Sequence, residues 1–140
     1  MQTGWIKDGA WYYLKPNGTM ATGWQHVGAS WYYLKASGAM ATGWQSIHGR
    51  WYYLQPGSGA LATGWIKDGS TWYYANQGGA LVTGWLNCGG TWYYLKTSGA
   101  MATGWQNIRN TWYFFYDSGA MAANTSIGSY RLNSSGAWVA

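Results

Sequence analysis

Apolar and polar residues alternate along this chain in short runs that return at regular intervals. In Trp31-Tyr32-Tyr33-Leu34, strand alternation sends the Trp and the second Tyr one way and the first Tyr and the Leu the other. Trp-Tyr-Tyr begins at Trp11, Trp31, Trp51, Trp72 and Trp92, and Trp112-Tyr113-Phe114 continues the series. A second run opens on Gly-Trp, as in Trp44-Gln45-Ser46-Ile47. Trp and Tyr favour strands, and Gly every few residues weakens any helix. Each unit is therefore predicted to be a two-stranded hairpin followed by a Ser-Gly or Pro-Gly loop, such as Ala36-Ser37-Gly38 or Pro56-Gly57-Ser58-Gly59. The hairpin turns fall at Asp8-Gly9, Val27-Gly28, His48-Gly49, Asp68-Gly69, Cys88-Gly89-Gly90 and Arg109-Asn110, where Gly and Asn tolerate the positive φ of tight primed turns.

The Trp-Tyr-Tyr intervals are 20, 20, 21, 20 and 20 residues. The Gly-Trp tryptophans Trp5, Trp24, Trp44, Trp65, Trp85 and Trp105 interlock with them at the same period. A third mark, Gly-x-Met or Gly-x-Leu, falls at Met20, Met40, Leu61, Leu81, Met101 and Met121. Residues 1–121 thus form six repeats of about 20 residues. Residues 122–140 are a degenerate capping repeat, in which Tyr130, Leu132, Gly136 and Trp138 keep register while Thr125 and Ser129 stand where tryptophans would be. One isolated hairpin is marginal in water. Stacked hairpins bury a shared core, so the expected fold is an all-β solenoid, with the Leu series Leu14, Leu34, Leu54 and Leu95 and the second tyrosines packed inside.

Composition narrows the chemistry. The 140 residues include 13 Trp, 13 Tyr and 22 Gly but 3 acidic residues. The charged fraction is 8%, against about a quarter in ordinary domains, and this argues against most enzymes. Asp8, Asp68 and Asp117 lie in separate repeats, so paired acid-base catalysis lacks its second member. His26 and His48 have no metal-ligand spacing with Cys88, which reads as a turn residue and leaves no intramolecular disulfide framework. Neither a Ser-His-Asp arrangement nor a phosphate-cradling glycine loop appears. The net charge of +5 is dispersed without forming a run. It suits a polyanionic partner, but with no basic stripe beside the rings a nucleic acid ranks last. No apolar stretch approaches the roughly 20 residues needed to span a bilayer, and the N-terminus lacks a signal-peptide layout. Met1 runs straight into a repeat, so the chain reads as an excised fragment with an added start.

Alternation also dictates how the rings meet. A single strand sends Trp31 and Tyr32 to opposite faces, so a closed aromatic box has to be assembled between successive repeats, two tryptophans from one and a tyrosine from the next. A box with aromatic walls and no carboxylate attracts an organic cation, about 0.5 to 2 kcal/mol per ring face, and quaternary ammonium is the familiar guest. Three faces give on the order of 3 to 5 kcal/mol, which is roughly millimolar affinity per site. Several such sites on one polymer gain about 100-fold to 10,000-fold through avidity.

Gly-Trp, a Gly-containing turn, Trp-Tyr-Tyr-Leu, Ser-Gly-x-Met and Ala-Thr-Gly, repeated about every 20 residues, resemble the choline-binding repeats of pneumococcal surface proteins and cell-wall lytic enzymes. The tail from Ala123 to Val139 resembles the C-terminal end of surface proteins in that family. The resemblance implies a left-handed superhelical solenoid of β-hairpins that holds proteins non-covalently to phosphocholine on teichoic and lipoteichoic acids at the bacterial cell surface. It implies no cofactor and no catalysis by this chain, leaves open a catalytic domain in a longer parent and a homodimer, and keeps a glucan- or glycan-binding module as the alternative. The family pattern groups Trp5, Trp11, Met20 and Tyr32 as the first choline site and Trp24, Trp31, Met40 and Tyr52 as the second. It groups Trp44, Trp51, Leu61 and Tyr73 as the third, and Trp65, Trp72, Leu81 and Tyr93 as the fourth. The fifth is Trp85, Trp92, Met101 and Tyr113, and the sixth is Trp105, Trp112, Met121 and Tyr130.

Overall fold

The computed structural model describes residues 2–140. They form strands without helices, as the aromatic and glycine patterning requires. Six hairpins follow one another: β1 (Gly4–Asp8) with β2 (Ala10–Leu14), β3 (Gly23–Val27) with β4 (Ser30–Leu34), and β5 (Gly43–Ile47) with β6 (Arg50–Leu54). The series continues with β7 (Gly64–Asp68) and β8 (Thr71–Ala75), β9 (Gly84–Cys88) and β10 (Thr91–Leu95), and β11 (Gly104–Ile108) and β12 (Thr111–Phe115). The tail folds into a three-stranded sheet of β13 (Thr125–Ile127), β14 (Tyr130–Leu132) and β15 (Trp138–Val139). The chain divides into two compact units, residues 1–64 with 75–81 and residues 65–74 with 82–140.

The turns sit at or one residue beyond their predicted places. His48-Gly49, Gly89-Gly90 and Arg109-Asn110 have positive φ at both residues, the signature of a type I′ turn. Cys88 is therefore the last residue of β9, paired with Thr91, rather than part of the turn; the two glycines after it supply all the positive φ that the reversal needs. Val27 and Asp68 likewise close their strands, leaving Gly28-Ala29 and Gly69-Ser70 as turns.

After each hairpin the chain folds back along the second strand. Ala21 N–H donates to the carbonyl of Tyr13 at 2.8 Å, and Ala41 to Tyr33, Ala62 to Tyr53, Ala102 to Tyr94 and Ala122 to Phe114 repeat the bond. The loop between is held by its own side chains: Asn17 Oδ1 accepts from Thr19 N–H, and the hydroxyls of Ser37, Ser58, Ser98 and Ser118 accept from the amide two residues on.

Each core is a line of small and branched apolar side chains. In the first unit Ala21, Leu34, Ala41 and Leu54 are fully buried; in the second, Leu95, Ala102, Phe115 and Leu132 are. The Leu series is thus core, with Phe115 and Ala75 taking its place in two repeats and Leu14 half-buried at the start of the chain. Burying one such Leu contributes about 1.5 to 3 kcal/mol. The tryptophans stay out of this line: Trp11, Trp31, Trp51, Trp72, Trp92 and Trp112 are all exposed.

Candidate functional site

Register explains why the tryptophans collect on one surface. In the first hairpin Trp5 lies opposite Tyr13 and Lys7 opposite Trp11, so one face carries both tryptophans and the second tyrosine. Ile6, Tyr12 and Leu14 take the other face, toward the core. The first tyrosine of a repeat therefore faces the preceding hairpin, where it meets a Gly-Trp ring. Trp5 and Tyr32 stand edge to face with centroids 4.9 Å apart, and Trp24 with Tyr52, Trp65 with Tyr93, and Trp85 with Tyr113 repeat this at 5.0, 4.9 and 4.9 Å. Each of these four pairs joins the Gly-Trp tryptophan of one repeat to the first tyrosine of the next, and in two of the groups the second tryptophan stands beside the first, Trp72 at 6.5 Å from Trp65 and Trp92 at 6.3 Å from Trp85. Trp105 and Tyr130 form a fifth at 5.6 Å.

Each Gly-Trp ring is supported from its own hairpin. The second tyrosines and Phe114 pack on it, from 4.7 Å in Trp44–Tyr53 to 5.2 Å in Trp105–Phe114. Expected in the core from the sequence, these residues are instead half-buried props on the tryptophan face that fix the Gly-Trp ring, a role that a ring without a hydroxyl fills in one repeat.

The Met and Leu positions depart from the family-based grouping by one repeat. The open pocket of the fourth group, about 240 Å³, is lined by Trp65, Trp72, Tyr93, Met101 and Ser118; Met101, not Leu81, supplies its thioether wall. The reason lies in the backbone. Met101 N–H donates to the carbonyl of Trp72 at 2.8 Å, which places the residue beside the preceding hairpin's tryptophan. Met40 is bonded in the same way to Trp11, Leu61 to Trp31, Leu81 to Trp51 and Met121 to Trp92. Met20, grouped with Trp5 and Trp11 from the sequence, makes no such bond among the described residues and is exposed. The structural groups are accordingly Trp5, Trp11, Tyr32 and Met40; Trp24, Trp31, Tyr52 and Leu61; and Trp85, Trp92, Tyr113 and Met121. Trp44 and Trp51 lie with Leu81 in the first compact unit and Tyr73 lies in the second.

The sixth group has a wall that sequence reasoning did not assign. Its pocket, about 320 Å³, is lined by Trp105, Trp112, Tyr130 and Trp138, while Met121 belongs with Trp92. The signal was in the tail's register: Trp138 follows Tyr130 by eight residues, as Met121 follows Tyr113.

Glycines make these walls fit. A Cβ at Gly38, whose φ is +91°, would lie 2.5 Å from the sulfur of Met20. Gly59, Gly79, Gly119 and Gly136 meet Met40, Leu61, Met101 and Met121 in the same way. The loop glycine is thus required by both conformation and space.

The ring faces are already cation acceptors within the chain. Lys7 Nζ lies 5.9 Å from the centroid of Trp11 and Lys67 Nζ lies 5.8 Å from that of Trp72. In the fourth group Trp65 and Trp72 stand almost perpendicular, 86° apart with centroids separated by 6.5 Å, and no carboxylate lines the pocket they form with Tyr93 and Met101. Such a corner offers two faces and a soft thioether to a compact apolar cation.

Comparison with known families and structures agrees with this geometry. A family model described as "Choline-binding repeat" matches residues 21–63 and 62–103, and one described as "Putative cell wall binding repeat" matches residues 3–20 and 103–121. No curated protein matches the chain. The crystal structure of choline binding protein F from Streptococcus pneumoniae, in the presence of a peptidoglycan analogue, superposes with a TM-score of 0.96 at 48% identity over 99% of this chain and 47% of that one. CbpJ from Streptococcus pneumoniae TIGR4 gives 0.95 at 50% identity, covering 99% and 48%. The pneumococcal cell wall endolysin from phage Cp-1, complexed with choline, gives 0.62 at 35% identity, covering 91% and 39%. The chain thus spans about half the length of the first two structures. With family models over most of its length and nearly half its residues shared with two of these structures, the chain belongs to the family of choline-binding repeat proteins.

Proposed function

We propose that this chain is a non-catalytic module that attaches a protein to phosphocholine on teichoic and lipoteichoic acids at the bacterial cell surface, one choline per aromatic group. The observation that carries the reading is the fourth pocket: two perpendicular tryptophans, a tyrosine and a methionine, without a carboxylate among them. A primary ammonium in such a pocket has the Ser118 hydroxyl as an acceptor but no carboxylate, and each N–H donor left unpaired and buried costs about 1 to 3 kcal/mol. A trimethylated ammonium has no N–H to satisfy, so the same walls favour it. Two or three ring faces bring single-site affinity to roughly millimolar, and repetition supplies the rest through avidity. No helix among the described residues is long and apolar enough to cross a membrane.

The function is tested on a choline-substituted matrix. The chain is expected to be retained and to elute with free choline but not with an equal concentration of glucan oligosaccharide. Retention that free choline does not displace, or elution by glucan alone, contradicts the proposal and favours a glycan-binding module.

A further inference from the structure

We propose that the fourth aromatic pocket has a neighbour that binds the phosphate of the phosphocholine group, so that this site recognises the whole ester rather than choline alone. The inference rests on the choline-binding reading of Trp65 and Trp72 and extends it. A second pocket, about 480 Å³, shares Trp72 and Met101 with the aromatic one and, apart from Ala100, is otherwise lined by polar and charged residues. Two lysines, Lys67 and Lys96, line it together with Thr71, Thr103 and Asp117. Two ammonium groups against one carboxylate leave a formal surplus of one positive charge, with hydroxyl donors beside it.

Position matters more than the charge count. In phosphocholine two carbons join the quaternary nitrogen to the phosphate oxygen. An anion-binding group serves the ester only if it borders the cage directly. Lys67 lines the neighbouring pocket, and its Nζ stands 5.8 Å from the centroid of Trp72, the ring common to both pockets.

The repeats show that this arrangement is local. Lys67 occupies the second position after the Gly-Trp tryptophan and Lys96 the position after Trp-Tyr-Tyr-Leu of the next repeat. The first group has the same pair in Lys7 and Lys35, and Lys7 again stands over its tryptophan. The other groups read His26 with Gln55, Ser46 with Asn76, Asn87 with Tyr116, and Asn107 with Asn133. Phosphate recognition is therefore assigned to the fourth group, and by register to the first, but not to the rest.

The test follows the Trp72 indole by ¹H–¹⁵N NMR while the chain is titrated separately with choline, phosphocholine and inorganic phosphate. The half-saturating concentration of phosphocholine at Trp72 is expected to be lower than that of choline. Replacing Lys96→Gln should shrink that preference by about twofold to fivefold, the range of an exposed ion pair, and adding Lys67→Gln should remove it. Asp117→Asn should enlarge it. Equal half-saturation by the two ligands in the unsubstituted chain, or a preference that survives the double substitution, overturns the proposal. A Trp72 indole that does not respond to choline at all overturns the choline-binding function as well, and so separates the two failures. The source of the ester is read in parallel pull-downs: retention on phosphocholine-bearing wall polymer that falls in the double variant supports the proposal, and retention on phosphatidylcholine vesicles alone contradicts it.

Discussion

At the scale of single residues, the tryptophans divide by exposure and support. The Trp-Tyr-Tyr tryptophans stand exposed on the outer surface, while most Gly-Trp rings are half-covered between two other rings. Removing one from a cage deletes a ring face worth about 0.5 to 2 kcal/mol, so Trp51→Ala should weaken choline binding at its own group by about twofold to thirtyfold and leave the distant groups intact. Site-resolved indole titration checks this. The one-repeat shift of the walls gives a sharper test. Met101→Ala should weaken choline at Trp65 and Trp72, whereas Leu81→Ala should leave that group unchanged and weaken the one containing Trp51. The opposite pattern would restore the grouping read from the sequence.

At the scale of the element, the hairpin and its return loop were legible because their signals are local. Alternation in Trp-Tyr-Tyr-Leu, glycine at the turns and a strict period all act within a few residues. The pairing of Tyr32 with Trp5 was legible too, since alternation forbids a strand from closing a cage on itself. The owner of each Met or Leu wall was not. It depends on a hydrogen bond such as Met40 to Trp11, 29 residues apart, which no local pattern encodes. Trp138 was missed for a related reason: the tail was read for the tryptophans it lacks, and the one it keeps stands at a wall position. The two glycine classes carry a stability prediction. Gly43 has φ +75° with open space around its missing Cβ, whereas Gly38 has φ +91° and Met20 directly against it. Gly43→Ala should cost about 1 to 2 kcal/mol, the penalty of a left-handed conformation, and Gly38→Ala more, because the thioether must also move. Denaturant midpoints of the two variants, compared at equal m-value, check the order.

At the scale of the whole molecule, repetition compensates for weak individual sites. Single cages of roughly millimolar affinity hold little, but several engaging one polymer multiply their effect, and the net charge of +5 favours a polymer rich in phosphate. Retention on a choline-dense surface should therefore fall steeply as cages are removed together, far more than one solution affinity changes. Combining Trp11→Ala, Trp72→Ala and Trp112→Ala is expected to abolish retention while leaving the Leu34 and Leu95 cores in place; washing profiles on the matrix and far-ultraviolet circular dichroism read the two outcomes. The measurement that bears most directly on the central claim is isothermal titration with free choline, read for the number of sites. Cages assembled from each pair of tryptophans predict saturation at about six cholines per chain. Saturation at one, or no heat of binding across the millimolar range, would contradict it.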